Sequence, residues 1–188
     1  PDWASFQFTT LDGGNVPASE IEAARRDLDE RTFRQEYEAR FETYSGIIAY
    51  NFATENITTR DEKPNPAKQP LYVGMDFNLN PLSAVVMEPT KTGLHAFDEI
   101  VIQGSNTDEM CEEIKARYGN YKIIVCPDPA GVQNRTSAGG RTDIAILQNA
   151  GFTVKYRSKH PAVRDRINAL NSLLLNAAGE RRYTVDPK

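Results

Sequence analysis

Cysteine is scarce in this sequence, and long apolar segments are missing from it. Its 188 residues include two cysteines, Cys111 and Cys126, which form no C-x-x-C motif. Such sparse usage is typical of a reduced cytosolic protein and argues against a disulfide framework. No apolar run approaches the roughly 20 residues with which a helix spans a bilayer. We therefore expect a globular protein with no membrane partner.

Two further absences limit the enzymatic activity and the metal sites that the chain can have. No phosphate-binding loop of the form G-x-x-x-x-G-K-[ST] occurs, so the chain lacks the motif of a P-loop ATPase. The two histidines, His95 and His160, do not have the spacing of zinc ligands. A metal site in this chain would have to be built from oxygen ligands, which favour Mg²⁺ or Mn²⁺ over zinc.

Charge is present in ordinary amount but is unevenly distributed. The formal net charge is -4. Residues 71–134 carry four basic and nine acidic side chains, whereas residues 135–188 carry ten basic and four acidic ones. An acidic region followed by a basic one fits a metal-dependent enzyme that acts on a polyanion. The alternative is a mixed-charge surface that only keeps the protein solvated.

The N-terminal part of the chain predicts helices followed by a polar linker. The elements expected before residue 54 are two helices and a short strand: Pro17–Asp29, Arg31–Glu42 and Ile47–Phe52. Ser19, with Glu22 three positions later, has the pattern of a capping box. Aromatic residues at helical spacing predict packing in the second helix: Phe33, Tyr37 and Phe41. Residues 54–70 are polar and contain three prolines, so we expect a linker or surface excursion there.

From residue 71 onward the pattern is that of an α/β domain. The predicted strands are Leu71–Phe77, Leu82–Met87, Leu94–Ile102, Lys122–Cys126, Phe152–Arg157 and Arg182–Val185. The predicted helices are Thr107–Tyr118, with Asn106 as its cap, Thr142–Ala150 and Ala162–Ala178. Short turns predict an antiparallel meander for the first three strands, and helical crossovers predict parallel pairing for the next two. We therefore predict a mixed sheet flanked by helices over residues 71–188, with residues 1–53 as a helical extension.

Two carboxylates stand out against this pattern. Asp76 interrupts the apolar run of the first strand, where an uncompensated charge would cost several kcal/mol. Asp128 follows the fourth strand. A right-handed crossover that returns the fourth strand beside the first would place these acids on neighbouring parallel strands, roughly 4.8 Å apart. We predict that Asp76 and Asp128 bind hard cations, and that two such ions about 4 Å apart hydrolyse a phosphodiester.

The residues around these acids resemble a known family. GMDFNLNPLSAVV, with the later VCPDPAG, is similar to the nuclease domain of tailed-phage large terminase subunits, which has a ribonuclease-H-like fold. FRQEYEARFETYSGIIAY resembles the segment that joins the terminase ATPase domain to its nuclease domain. HPAVRDRINALNSLLL and RRYTVDPK resemble the late helix and the following strand of that family. The likeness covers residues 18–188.

The resemblance implies a function. It implies that Asp76 and Asp128 are catalytic metal ligands of an endonuclease that cuts concatemeric double-stranded DNA during genome packaging. It also implies Mg²⁺ or Mn²⁺ as the cofactor. In the full protein, it implies an ATPase domain, and a portal and a small terminase subunit as partners. The implied location is the host cytoplasm. Residues 1–53 would then be the tail of the ATPase domain.

The sequence departs from the family at the third acidic ligand. In the family this ligand comes from a helix beyond the strand that RRYTVDPK resembles, so we expect it to lie beyond Lys188, with the nuclease domain truncated. Asp165 and Asp143 are the available substitutes, but we expect both on solvated helix faces. The chain alone is therefore expected to bind metal weakly and to cut poorly.

Basic residues near the acids are candidates for DNA binding. Arg135 and Arg141 lie in the long loop after Asp128, and three more follow the fifth predicted strand: Arg157, Lys159 and Arg164. Each could contact a phosphate and give salt-sensitive, sequence-independent affinity. An ordinary surface charge is the alternative for each of them.

Two other functions remain open at the level of sequence. One is another ribonuclease-H-like nuclease, such as a junction resolvase or a transposase. The other is a non-catalytic module that docks on the portal or the small terminase subunit, with Asp76 merely hydrogen-bonded in the core. Activity on branched DNA would favour the resolvase, and the absence of any effect of divalent ions would favour the docking module.

Overall fold

The computed structural model describes residue 4 and residues 6–42, 46–60, 64–78, 80–128, 142–157 and 161–187. The helices are α1 (Thr10–Gly13), α2 (Ala18–Asp27), α3 (Glu30–Tyr37), α4 (Thr107–Tyr118), α5 (Asp143–Asn149) and α6 (Val163–Leu174). The strands are β1 (Leu71–Asp76), β2 (Leu82–Pro89), β3 (Leu94–Ile102), β4 (Ile123–Pro127), β5 (Thr153–Val154) and β6 (Tyr183–Val185). In this part of the chain no helix is long and apolar enough to cross a membrane.

The chain divides into two compact units. The first consists of Pro1–Asn56 and Pro161–Tyr183, and the second of Ile57–His160 and Thr184–Lys188. The first unit is helical, with a 3-10 turn at Thr54–Asn56. The second contains most of the sheet.

The helical unit differs from the sequence prediction at the start of α2. The predicted capping box at Ser19 is wrong, because the helix begins at Ala18 and Ser19 lies inside it. Pro17 occupies the cap position without a side-chain hydrogen bond, and its carbonyl accepts from the Glu20 N–H at 3.0 Å. The fixed backbone angle of proline suits a helix start, so no serine cap is required.

The prediction that three aromatic side chains pack along α3 is only partly correct. Asp29 caps this helix, its Oδ1 accepting from the N–H groups of Arg31 and Thr32. Phe33 is buried and stacks on Tyr37 with ring centroids 5.1 Å apart. Phe41 is fully exposed because α3 ends at Tyr37, before the predicted third aromatic position.

The predicted strand Ile47–Phe52 is wrong, since this segment forms bends and turns. Backbone groups of this segment form hydrogen bonds with side chains rather than with a neighbouring strand. The Asn51 N–H donates to Asn171 Oδ1 at 2.9 Å, and Asn171 Nδ2 donates to the Ile48 carbonyl at 2.7 Å. Asn171 is completely buried, so these bonds also offset the cost of its own burial.

Helix α6 is shorter than the predicted Ala162–Ala178. It ends at Leu174, and Leu175 is extended. The Leu174 carbonyl accepts from Asn56 Nδ2 and from the Arg181 guanidinium, both at 3.0 Å. These distant donors replace the next helical turn, which explains why local periodicity did not predict the end.

Within the described residues, the sheet has six strands in the order β5-β4-β1-β2-β3-β6. Strands β1, β2 and β3 pair antiparallel, while β4 pairs parallel with β1 and with β5. This confirms the predicted mixed sheet of three antiparallel and then two parallel strands. The fifth predicted strand, Phe152–Arg157, is reduced to Thr153–Val154.

The hydrophobic core lies on one face of the sheet. Leu71, Val73 and Met75 alternate along β1 and are buried. They belong to one cluster with α4 and α5, including Ile114 and Leu147. The predicted cap of α4 is confirmed, because Asn106 Oδ1 accepts from the Glu109 N–H at 3.0 Å. Because side chains alternate along a strand, the even-numbered positions of β1 lie on the opposite face.

Candidate metal centre

Asp76 and Asp128 occupy adjacent positions on neighbouring parallel strands. Gly74 pairs with Cys126, and Met75 pairs with Pro127. The ladder continues by one step, because the Asp128 N–H donates to the Met75 carbonyl at 3.0 Å. Residues in register on parallel strands share a face, so both aspartates lie on the face opposite the core, at the carboxyl ends of their strands.

Asp76 is accessible rather than buried. It is the last residue of β1 and is exposed, whereas its neighbour Met75 is buried. Its Oδ2 accepts a hydrogen bond from Asn78 Nδ2 at 2.8 Å. The expectation that this carboxylate sits inside an apolar run and carries a large burial cost is therefore wrong. Because side chains alternate along the strand, Asp76 points away from the core. A cation could therefore reach its carboxylate from solvent.

The donor chemistry fits a hard cation. Asp128 is half-buried, and strand spacing brings it to roughly 4.8 Å from Asp76 at the backbone. Two carboxylates on one face provide oxygen ligands and a local negative charge, which suit Mg²⁺ or Mn²⁺. Among the described residues, no group of three or more His, Cys, Asp and Glu side chains could hold a metal ion. The described site is thus a two-carboxylate arrangement.

The two substitute ligands have different surroundings. Asp143 begins α5 and is buried at 3% exposure, so the predicted solvated position is wrong. Its Oδ1 accepts from the Thr107 hydroxyl at 2.6 Å, which joins the starts of α4 and α5. Asp165 is exposed in the first turn of α6, as expected, and belongs to the helical unit.

The candidate DNA-binding residues are only partly covered by the structure. Arg157 is exposed shortly after β5, and Arg164 is exposed in α6. Arg135, Arg141 and Lys159 lie outside the described residues. Their roles stay predictions.

Sequence reasoning missed three polar residues around the acids. Asn78 bonds to Asp76, and Ser83 on β2 pairs with Asp76 across the antiparallel ladder. Lys155 follows β5, and its N–H donates to the Val125 carbonyl at 2.9 Å. Burial raises the pKa of the Cys126 thiol, and the Lys155 ammonium acts in the opposite direction. The spacing Asp76-x-Asn78 was the available signal for the first of them.

A second polar cluster lies near the other end of the sheet. Glu88 and His95 pair across β2 and β3 and are buried at 2% and 0% exposure. Glu88 accepts from Arg60 and, at 2.6 Å, from Gln69. The His95 ring bonds to Thr184 at 2.8 Å and to Asp186 at 3.1 Å.

This cluster borders a cavity of about 540 Å³. Asp98, which also lines the cavity, accepts from Arg117 at 3.0 Å and from the Tyr118 hydroxyl at 2.6 Å. Each charged side chain named here is already paired with another part of the fold. We therefore assign the cluster a structural role.

The topology and the two acids together define a class of protein. A mixed sheet with an antiparallel meander, a parallel fourth strand and a carboxylate at the end of each central parallel strand is a ribonuclease-H-like fold. The sequence signature of the terminase RNase H-like domain matches residues 73–186, which is more than half of the chain. The chain belongs to this terminase family.

Comparisons with individual proteins agree with the family. A curated large terminase subunit from Escherichia phage T5 is 40% identical over 52 residues, which are 28% of this chain and 12% of that protein. The large terminase of a thermophilic bacteriophage superposes with a TM-score of 0.64 at 17% identity, covering 95% of this chain and 43% of that one. This chain therefore spans less than half of that longer terminase.

Two solved nuclease domains share the fold. The nuclease domain of the P22 large terminase has a TM-score of 0.55 at 18% identity, covering 76% of this chain and 73% of that one. The large terminase nuclease of the thermophilic phage G20c, with bound magnesium, has a TM-score of 0.51 at 18% identity, covering 75% and 74%. At this identity the likeness establishes the fold.

Proposed function

We propose that this domain is a metal-dependent endonuclease that cuts concatemeric double-stranded DNA during phage genome packaging. The observation that carries the proposal is the adjacency of Asp76 and Asp128 on one face of the sheet, where Asp76 is exposed. Membership in the terminase family and the magnesium bound by the G20c nuclease support it. On this proposal residues 71–188 form the nuclease domain, 54–70 a linker, and residues 1–53 the helical tail of a preceding ATPase domain.

The cofactor is proposed to be a pair of Mg²⁺ or Mn²⁺ ions. When bound, two such ions activate a water molecule and stabilise the leaving oxygen of a phosphodiester. Asp76 and Asp128 would hold them, since both offer carboxylate oxygens on the same face. Asn78 donates to Asp76 Oδ2, so it holds that carboxylate in one orientation. Any remaining ligand would come from outside the described residues, and we propose a position beyond Lys188.

The wider setting follows from the family. We propose that the full protein carries an ATPase domain and acts with a portal and a small terminase subunit in the host cytoplasm. The longer thermophilic-phage terminase, of which this chain matches 43% or 44%, was also solved with ADP and with ATP-gamma-S. These complexes support an ATP-binding region elsewhere in the longer protein.

Plasmid cleavage with Mn²⁺ tests the proposal. We expect slow nicking by the wild-type chain, whose third ligand is proposed to lie beyond Lys188, and a further loss of about 100-fold or more in Asp76→Asn and Asp128→Asn. A lost metal contact of about 3 kcal/mol in the transition state corresponds to that factor. Glu112→Gln, an exposed change on α4, is the matched control and should cut normally. Equal cleavage by the wild type and Asp76→Asn would contradict the proposal.

The same variants separate the nuclease from a docking module. Metal bound between two adjacent carboxylates relieves their repulsion, so Mn²⁺ should raise the melting temperature of the wild type more than that of Asp76→Asn. A non-catalytic module predicts no effect of Mn²⁺ on either. Branched DNA substrates distinguish a junction resolvase, which would cut them in preference to linear duplexes.

A further inference from the structure

Lys155 lies on the same face of the sheet as the two candidate metal ligands. Val154 on β5 pairs with Val125 on β4, and the Lys155 N–H extends this ladder to the Val125 carbonyl. Lys155 is therefore level with Cys126, two residues before Asp128. Since residues in register share a face, Lys155, Cys126 and Asp128 lie on the face that also carries Asp76.

Burial along the β5 segment supports this orientation. Phe152 and Val154 are half-buried and pack against the hydrophobic core. Thr153 and Lys155 alternate with them and are exposed. The apolar side chains thus anchor the edge strand to the core, and Lys155 projects from the opposite face toward solvent.

The lysine is available to a ligand. Within the described part of the chain, the Lys155 ammonium makes no ion pair or hydrogen bond. Strand geometry separates its backbone from that of Asp128 by about 8 Å, one strand across and two residues along. A flexible four-carbon stem with three donors on its ammonium can span most of that distance.

We propose that Lys155 donates a hydrogen bond to a phosphate oxygen of the DNA strand held at the Asp76–Asp128 pair. This inference rests on the proposed nuclease function. A phosphate at the pair would lie beside two carboxylates, so a cation on the same face offsets repulsion between the acids and the DNA. An ammonium contacts phosphate as a point charge without reading the base sequence. The contact would contribute to binding and, if it strengthens as charge develops on the phosphate, to the cleavage rate.

The test compares two lysines of the same sheet. Lys155→Met keeps the length of the side chain and removes its charge, and Lys155→Arg keeps the charge. Lys122→Met is the matched control, because Lys122 is exposed and precedes β4 at the opposite end of that strand. Binding to a short fluorescent duplex is measured without divalent ions over a series of salt concentrations, cleavage is measured with Mn²⁺, and melting temperatures verify folding.

We expect Lys155→Met to lower duplex affinity several-fold at low salt and to reduce the magnitude of the salt slope by about one, the value for one lost phosphate contact. Cleavage should fall about 10-fold, Lys155→Arg should restore most of both, and Lys122→Met should match the wild type. A merely structural role would not change the salt slope.

The outcomes separate this proposal from the function on which it rests. If the wild type binds and cuts while Lys155→Met does the same, the Lys155 contact is overturned and the nuclease function stands. If the wild type binds without cutting, the salt slopes still decide the role of Lys155. If the wild type neither binds nor cuts, both proposals are overturned.

Discussion

The charged residues at the two ends of the sheet differ in their exposure and in their hydrogen-bond partners. At one end, Asp76 is exposed and lies beside a second acid, with the Asn78 amide as a hydrogen-bond donor. Near the other end, Glu88 and His95 are buried, and each has two partners from other parts of the chain. Burial with complete pairing indicates a structural role, whereas like charges side by side, one of them exposed, indicate a ligand. The cavity beside Glu88 and His95 is therefore not the better candidate for the active site.

The largest effect on stability should come from Glu88. Glu88→Ala removes the acceptor of Arg60 and Gln69 at a buried position, and we expect it to lower the free energy of unfolding by about 2 kcal/mol. This is less than for a fully buried pair, because the Arg60 side chain is 40% exposed. Denaturant unfolding measures the change, with Glu112→Ala on the surface of α4 as control.

The same unfolding measurement on Asp76→Asn compares the exposed acid with the buried Glu88. Without divalent ions we expect a change within about 0.5 kcal/mol, because the side chain is exposed and the substitution removes repulsion with Asp128. A large loss in Asp76→Asn, or none in Glu88→Ala, would reverse the roles of the two ends.

A smaller effect is expected at high pH. Burial, followed by the hydrogen bond to Asp98, raises the pKa of the Tyr118 phenol above its ordinary value of 10.0. The unfolded chain therefore releases this proton at lower pH than the folded one. The stability that the neutral phenol contributes is fully present below pH 10 and is lost as the pH rises above it.

Tyr118→Phe provides the comparison for this pH dependence. Unfolding measured from pH 8 to pH 11 should show a shallower decline in this variant than in the wild type. Identical slopes would mean that Tyr118 does not contribute to the alkaline loss of stability.

Local sequence signals predicted the sheet well. The apolar alternation of β1 to β3 and the turns between them predicted strands close to the observed ones, with β3 correct at Leu94–Ile102. The cap at Asn106 and the length of α4 also follow from nearby residues. The adjacency of Asp76 and Asp128 was predictable because the handedness of a crossover restricts where β4 can pair.

The errors occurred where distant residues decide the structure. The segment Ile47–Phe52 is apolar enough for a strand, but its backbone bonds to Asn171, which lies far along the chain. Helix α6 ends early because Asn56 and Arg181 satisfy its last carbonyl. The buried polar cluster was missed for the same reason, since His95 finds its partner at Asp186.

We propose that Asp76 and Asp128 bind a common divalent cation. Crystals soaked in Mn²⁺ and measured at a wavelength where manganese scatters anomalously test it most directly. We expect an anomalous peak within about 2.5 Å of carboxylate oxygens from both residues, and no such peak in Asp76→Asn. Manganese bound only elsewhere, or no anomalous peak near the two aspartates at saturating Mn²⁺, would contradict this proposal.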